Sequence, residues 1–223
     1  MKSWIRTLIE KRLNVSFSRS GDDIQLMRLL QNASPGSYVD IGSWHPVKAS
    51  NSYYFYLRGW RGICIDPNPE LADLYRATRP TDEFINTAVG LESATLQYYM
   101  LLSGYDSMNT LDGDFIRRYG LADKVKRVVD VPTRPLREIL DERLTPSDRL
   151  DFFDVDAEGY DLEILQSNDW DRFRPSIVVT ETEASLRVDL DSEVSQFLDD
   201  KGYRLVGKTT IKGDLGNLFY IQK

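Results

Sequence analysis

Tyr38-Val39-Asp40-Ile41-Gly42-Ser43-Trp44-His45-Pro46 decides how the rest of the chain is read. Tyr38 to Ile41 is a short β-branched and aromatic run carrying one acid, Gly42 permits a tight turn, and Ser43 to Pro46 lead towards a segment able to become helical. A first β-strand that ends in a ligand-binding turn has this form. A second apolar run, Ile63-Cys64-Ile65, ends in Asp66, and Pro67-Asn68-Pro69 follow it. An acid at the tip of the second strand of an α/β sheet is placed to hydrogen-bond the two hydroxyls of a ribose. The two stretches together predict a nucleoside-containing cofactor across the first two strand ends.

Two cofactors fit such a crevice. A dinucleotide needs G-x-G-x-x-G so that backbone can approach its pyrophosphate at a helix N-terminus. Here Trp44 and Pro46 stand where further glycines are required, and Asp40 precedes the turn, where it repels a pyrophosphate. An acid at that place suits the ammonium and sulfonium centres of S-adenosylmethionine. The expected cofactor-binding residues are Asp40, Gly42 and Ser43 at the first turn and Asp66, Pro67 and Asn68 at the second. Asn86 and Ala88 are expected beside the adenine, and Asp156 at the end of the fourth strand.

At 223 residues the chain has room for one large α/β domain. A net charge of −7 excludes a general nucleic-acid binder, whose footprint is basic. The single cysteine, Cys64, lies inside the second apolar run, so no disulfide framework forms and the cytoplasm is the expected compartment. No apolar stretch is long enough to span a bilayer.

In order along the chain, Trp4, Ile5, Leu8, Ile9 and Leu13 fall at helical spacing among Lys2, Arg6, Lys11 and Arg12. That basic amphipathic helix offers a contact for the body, a second subunit or an anionic membrane surface. Asp22 and Asp23 are expected to cap a helix over Ile24–Gln31. Residues 1–33 are thus read as a helical cap and 34–223 as the main domain. Further expectations are a crossover helix over Lys48–Arg58, a third strand over Phe84–Val89, an extra strand over Thr95–Leu102 and a helix over Asp114–Val125. Leu150 to Asp156 reads as the fourth strand and Ser176 to Glu181 as the fifth; Tyr203–Val206 and Leu218–Ile221 read as a closing antiparallel pair. Alternating strand and helix give a doubly wound, mostly parallel α/β sheet. A terminal antiparallel hairpin separates the methyltransferase variant from a dinucleotide-binding domain.

Three stretches together resemble the FkbM family of S-adenosylmethionine-dependent methyltransferases. Tyr38–Pro46 continuing to Ser50-Asn51-Ser52 is similar to a branch whose first motif reads V-D-[IV]-G-A-x-H-P followed by S-N-T. Arg58-Gly59-Trp60-Arg61-Gly62-Ile63-Cys64-Ile65-Asp66-Pro67-Asn68-Pro69 is like R-G-W-R-G-I-x-I-D-x-N-P, and Asp151-Phe152-Phe153-Asp154-Val155-Asp156-Ala157-Glu158-Gly159-Tyr160-Asp161-Leu162-Glu163-Ile164-Leu165 resembles I-D-V-E-G-x-[DE]-L-E-V-L. The resemblance implies a class I methyltransferase fold with a seven-stranded sheet. It also implies O-methylation of a sugar, sugar nucleotide, glycan or related natural product. Asp154 stands where many relatives carry Lys or Ser, and Arg19 replaces the usual Gln, so the acceptor is not carried over.

Methyl transfer from a sulfonium is an in-line displacement, governed by how oxygen, methyl and sulfur are held. A hydroxyl acceptor must also lose its proton as it attacks. Catalytic candidates are His45, the sole histidine, and Asp154, Asp156 and Glu158, which crowd the end of the fourth strand. Asp156 and Glu181, at adjacent strand tips, are the residues expected to hold a Mg²⁺ ion if one is used. The metal-free reading is favoured, with Glu158 supporting a helix N-terminus. Tyr105, Asp106 and Ser107 lie in a polar loop suited to sugar hydroxyls. The competing readings are an NAD(P)-dependent oxidoreductase and a non-catalytic binding subunit on the same fold.

Overall fold

The computed structural model describes residues 15–31, 35–145 and 148–223. The helix expected over residues 2–13, and the surface contact assigned to it, lie outside the described residues.

In chain order the strands are β1 (Ser37–Ile41), β2 (Arg61–Ile65), β3 (Glu83–Ile85), β4 (Ala88–Val89), β5 (Ala94–Leu101), β6 (Val125–Arg134), β7 (Phe152–Val155), β8 (Ile177–Thr182), β9 (Tyr203–Lys212) and β10 (Leu215–Gln222). Seven of them form one sheet in the order β3-β2-β1-β7-β8-β10-β9. Pairing is parallel from β3 to β8, and β10 runs antiparallel to both β8 and β9. The doubly wound sheet and its closing hairpin are therefore as the sequence predicts. Among the described residues no helix is long and apolar enough to cross a membrane.

Strand alternation divides the apolar residues between two cores. Val39, Ile41, Ile65, Phe153 and Val155 face one layer, where Ile139, Leu140, Ile164 and Leu165 close over them. Tyr38, Cys64, Phe152, Val179 and Phe219 face the other, packed by Leu26, Phe55, Trp60 and Tyr75. Cys64 is buried there as a free thiol. On this second face Tyr38 and Phe152 are register partners, and their rings stack at 5.1 Å between centroids. The next pair along the same face is Asp40 and Asp154.

Four elements differ from expectation. Only Tyr53–Tyr56 of the first crossover is helical. The preceding segment is held in turns by side chains: His45 Nδ1 accepts from the Val47 and Lys48 amides, and Ser50 Oγ from the Tyr53 amide. These local bonds compete with helix. The third strand breaks after Ile85, and β4 joins β6 and β5 in a separate three-stranded sheet that the sequence reading lacked. The helix expected over Asp114–Val125 stops at Arg118, just before Gly120 at φ +63°. The closing hairpin is longer than expected, because Thr209, Thr210 and Ile211 continue β9 through what reads as a polar connection. Asp22 and Asp23 begin the helix Asp22–Leu29, but Asp23 turns back to accept from the Phe17 amide at 2.6 Å.

Candidate active site

A cavity of about 1110 Å³, its open mouth included, lies over the C-terminal ends of β1, β2, β7 and β8. Strand order separates its two ends. Asp66 follows β2 and Glu181 lies in β8, three strand spacings apart across β1 and β7, or about 14 Å.

The turn after β1 builds one end. Gly42 has φ +76°, and a Cβ there would lie 1.7 Å from the Asp156 carbonyl oxygen, so glycine alone lets β1 and β7 approach. Its amide and that of Ser43 donate to the Ile65 carbonyl at 2.9 and 3.2 Å, which fixes the turn beside β2. Asp66 is 4% exposed. Its two carboxylate oxygens accept one amide each, from Trp44 at 2.9 Å and Asn68 at 2.8 Å. Burial raises its pKa to about 6 against those bonds, so it is mainly ionised at neutral pH. A carboxylate offers about four acceptor sites, which leaves capacity for two hydroxyls. Pro67, Thr87 and Ala88 complete this wall, and Ser43 Oγ, buried beside it, has no hydrogen-bond partner.

Asp40 and Asp154 lie between the ends, each 5% exposed. Ser52 Oγ donates to Asp40, and Asn51 Nδ2 donates to Asp154 at 3.1 Å. Burial raises both pKa values; the Arg79 charge opposes the rise at Asp40, whereas the Asp40 charge adds to it at Asp154. Arg79 is 1% exposed and donates to Ser52 Oγ at 3.0 Å and to Tyr38 Oη at 2.7 Å. Its ion pair with Asp82, at 2.7 Å, is wholly buried.

The other end is acidic. Asp156, Glu158 and Glu181 each place a carboxylate oxygen within 4.8 Å of the other two. Burial, reinforced by the neighbouring carboxylates, raises Asp156 to about 6, Glu158 to about 8 and Glu181 to about 10. Asp161 fastens this end by accepting from the Ala157 amide at 3.0 Å and the Glu181 amide at 3.2 Å. Arg19 reaches over from the N-terminal loop, and its Nη2 donates to Ser107 Oγ at 2.8 Å. Asp106 binds the Trp44 indole at 3.3 Å. In all, eight carboxyl side chains line the cavity, and Arg19 is the single cationic side chain among the described residues that do so.

The structure thus brings Asp40, Gly42, Ser43, Asp66, Pro67, Ala88, Asp106, Ser107, Asp154, Asp156, Glu158 and Glu181 to one cavity. It does not bring four of the expected residues to the wall. His45 faces its own turn, where Nδ1 accepts two amides; the ring proton then sits on Nε2, which leaves no free basic nitrogen. Burial and Lys48 lower its pKa. Asn68 Oδ1 caps the short helix Pro69–Leu71 through the Glu70 amide at 2.9 Å. Asn86 Nδ2 holds the Asp66 carbonyl at 2.9 Å, and Tyr105 stands 39% exposed. Sequence reasoning singled out Arg19 only as a departure from the resembling motif, and it missed Asn51, Tyr98, Asn217 and Ile211; all five lie on the wall. It also missed Arg79, behind the wall. Of the residues missed, only Asn51 carried a signal, its place in the Ser50-Asn51-Ser52 motif.

A parallel sheet in this order, closed by an antiparallel hairpin and bearing its cavity at the strand C-termini, is the class I methyltransferase arrangement. The sequence matches the methyltransferase FkbM domain over residues 40–205, and the chain belongs to that family. No curated protein matches it significantly. Among solved structures it is similar to a precorrin-6y C5,15-methyltransferase from Geobacter metallireducens, with 14% identity, TM-score 0.49, and 90% of this chain and 87% of that chain covered. It is also similar to an O-methyltransferase from Bacillus cereus in complex with S-adenosylhomocysteine, with 14% identity, TM-score 0.44, and 91% and 80% covered. A third is the 1,6-didemethyltoxoflavin-N1-methyltransferase of Burkholderia thailandensis, with 12% identity, TM-score 0.45, and 92% and 78% covered.

Proposed function

We propose that this protein is an S-adenosylmethionine-dependent O-methyltransferase acting on a hydroxyl of a small polyhydroxylated acceptor, of the sugar, glycan or natural-product kind. The supporting observation is the charge of the cavity. Eight carboxyl groups and one arginine face a ligand space that begins at an acid on the tip of β2. A pyrophosphate is repelled by such a wall, whereas a ligand with sulfonium and ammonium centres is attracted.

The residues present fit that cofactor. Asp66 has free acceptor capacity for the ribose, Ala88 and Thr87 flank the place of the base, and the unpartnered Ser43 hydroxyl lies at the turn. When bound, S-adenosylmethionine supplies a methyl group already activated on sulfur. The chain's part is to bind, to orient and to take a proton. Asp156 is the candidate base, because its pKa, raised to about 6, leaves it ionised at neutral pH yet near the pH at which a carboxylate accepts a proton from a reacting hydroxyl, while Asp154, held protonated, is placed to orient that hydroxyl. His45 has no place in this scheme as a base. Asp156 and Glu181 suffice without a divalent ion; activity lost with a chelator and restored by Mg²⁺ overturns the metal-free reading. From the described part of the N-terminal segment, Arg19 and Asp22 reach the cavity wall.

The test is transfer of labelled methyl from S-adenosylmethionine across a panel of free sugars, amino sugars, sugar nucleotides and hydroxylated natural products. The proposal expects label on oxygen in one acceptor class. Label on carbon or nitrogen alone, or NAD(P)-dependent oxidation of the panel, contradicts it.

A further inference from the structure

The acceptor end of the cavity carries a second set of groups that point to one chemistry. Asn217 on β10 is the register partner of Glu181 on β8, so their side chains share a sheet face. Asn217 is 7% exposed and lines the cavity, yet its side-chain amide has no hydrogen-bond partner among the described residues. An amide that lines an open cavity without a protein partner is available to water or to a ligand hydroxyl. Opposite it, the carboxylate oxygens of Asp156, Glu158 and Glu181 lie within 4.8 Å of one another. Asp156 and Glu181 are already joined by a side-chain hydrogen bond, and an ammonium, with three N–H donors, can replace that shared proton while bonding all three carboxyls. Among the described residues the one positive charge lining the cavity with them is Arg19, which is tethered across the mouth to Ser107 and holds the pKa values of all three below what burial alone gives. Glu158 and Glu181, raised to about 8 and about 10, hold protons at neutral pH that a bound ammonium would displace.

We propose that the acceptor is an amine-bearing polyol, its ammonium seated on Asp156, Glu158 and Glu181 and a neighbouring hydroxyl bonded to Asn217, with Arg19 setting the charge that the site accepts. This rests on the acceptor-site reading given above and narrows it. It excludes sugar nucleotides and other phosphorylated acceptors, whose charge the ionised carboxylates of the cavity, Asp66 and Asp156 among them, repel.

Calorimetric titration of glucosamine, glucose and glucose 6-phosphate into the full chain, with and without S-adenosylhomocysteine, tests it. Glucosamine is expected to bind at least roughly tenfold more tightly than glucose, and glucose 6-phosphate not at all. Glu181→Gln should erase the preference, and Asn217→Leu should weaken both sugars without changing their ratio. Arg19→Gln, at an exposed contact, should tighten glucosamine and serves if Glu181→Gln does not fold. Equal binding of glucosamine and glucose, preference for the phosphate, or failure of all three overturns the proposal. So does Mn²⁺ binding that Glu181→Gln abolishes and glucosamine does not compete. S-adenosylhomocysteine binding in the same cell reports separately on the cofactor: if it binds and the amine does not, only the acceptor assignment fails.

Discussion

Asp40 and Asp154 are register partners on neighbouring parallel strands, so two buried carboxyl groups stand side by side between the halves of the cavity. Their partners differ. Asp40 takes a hydroxyl from Ser52 and feels the charge of Arg79, while Asp154 has the neutral amide of Asn51. The asymmetry assigns the negative charge to Asp40 and the proton to Asp154.

Asp154→Asn therefore stabilises the free protein. A raised acid pKa contributes stability that is present below the unfolded value and lost as pH rises through the folded value. Removing the acid should gain about 1 kcal/mol at pH 7 and less at pH 5, read by urea unfolding. A loss of stability at both pH values shows that Asp154 is ionised and needed as such.

The acidic end makes the same argument on a larger scale. Asp161 and Glu158 titrate near 8, well above exposed carboxyls. Both groups favour the folded state at pH 4, and that contribution disappears as pH rises through about 8. The melting temperature of the free protein should fall between pH 6 and about 9, and Glu158→Gln should flatten that slope. A flat profile for the unaltered chain contradicts the burial of these groups.

Arg79 holds the wall from behind. It binds Asp82, Tyr38 and Ser52, and Asp82 in turn accepts from the Gly62 amide at 2.9 Å. Arg79→Met leaves Asp82 as an uncompensated buried charge and should cost about 3–5 kcal/mol. Adding Asp82→Asn should return part of it. A cost below about 1 kcal/mol would mean that water reaches this pair.

How much of this was legible in the sequence follows from the range of each interaction. Asp40, Gly42 and Asp66 are placed by strand ends and a turn, which depend on neighbours within a few residues, and the pattern at Tyr38–Pro46 is sufficient to find them. Arg79 carries no signal in the sequence, because nothing near it announces that Tyr38 and Ser52 converge on it. Arg19 and Asn217 reach the cavity from the two ends of the described chain, through a loop and a hairpin whose pairings span many residues. The second sheet was missed for the same reason: β4 is two residues long and exists only because β6 comes beside it.

Gly42→Ala probes the turn itself. The substitution forces a side chain into φ +76° and into the Asp156 carbonyl, at a cost of about 2 kcal/mol or more. Lowered thermal stability together with weakened cofactor binding is the expected outcome. An unchanged melting temperature contradicts the close approach of β1 and β7.

The most direct measurement is calorimetric titration of S-adenosylhomocysteine into the purified full chain, beside its Asp66→Ala variant. The account predicts saturable one-site binding, on the order of micromolar, that the variant weakens by roughly tenfold or more. Absence of heat up to millimolar ligand, or equal binding by the variant, contradicts it.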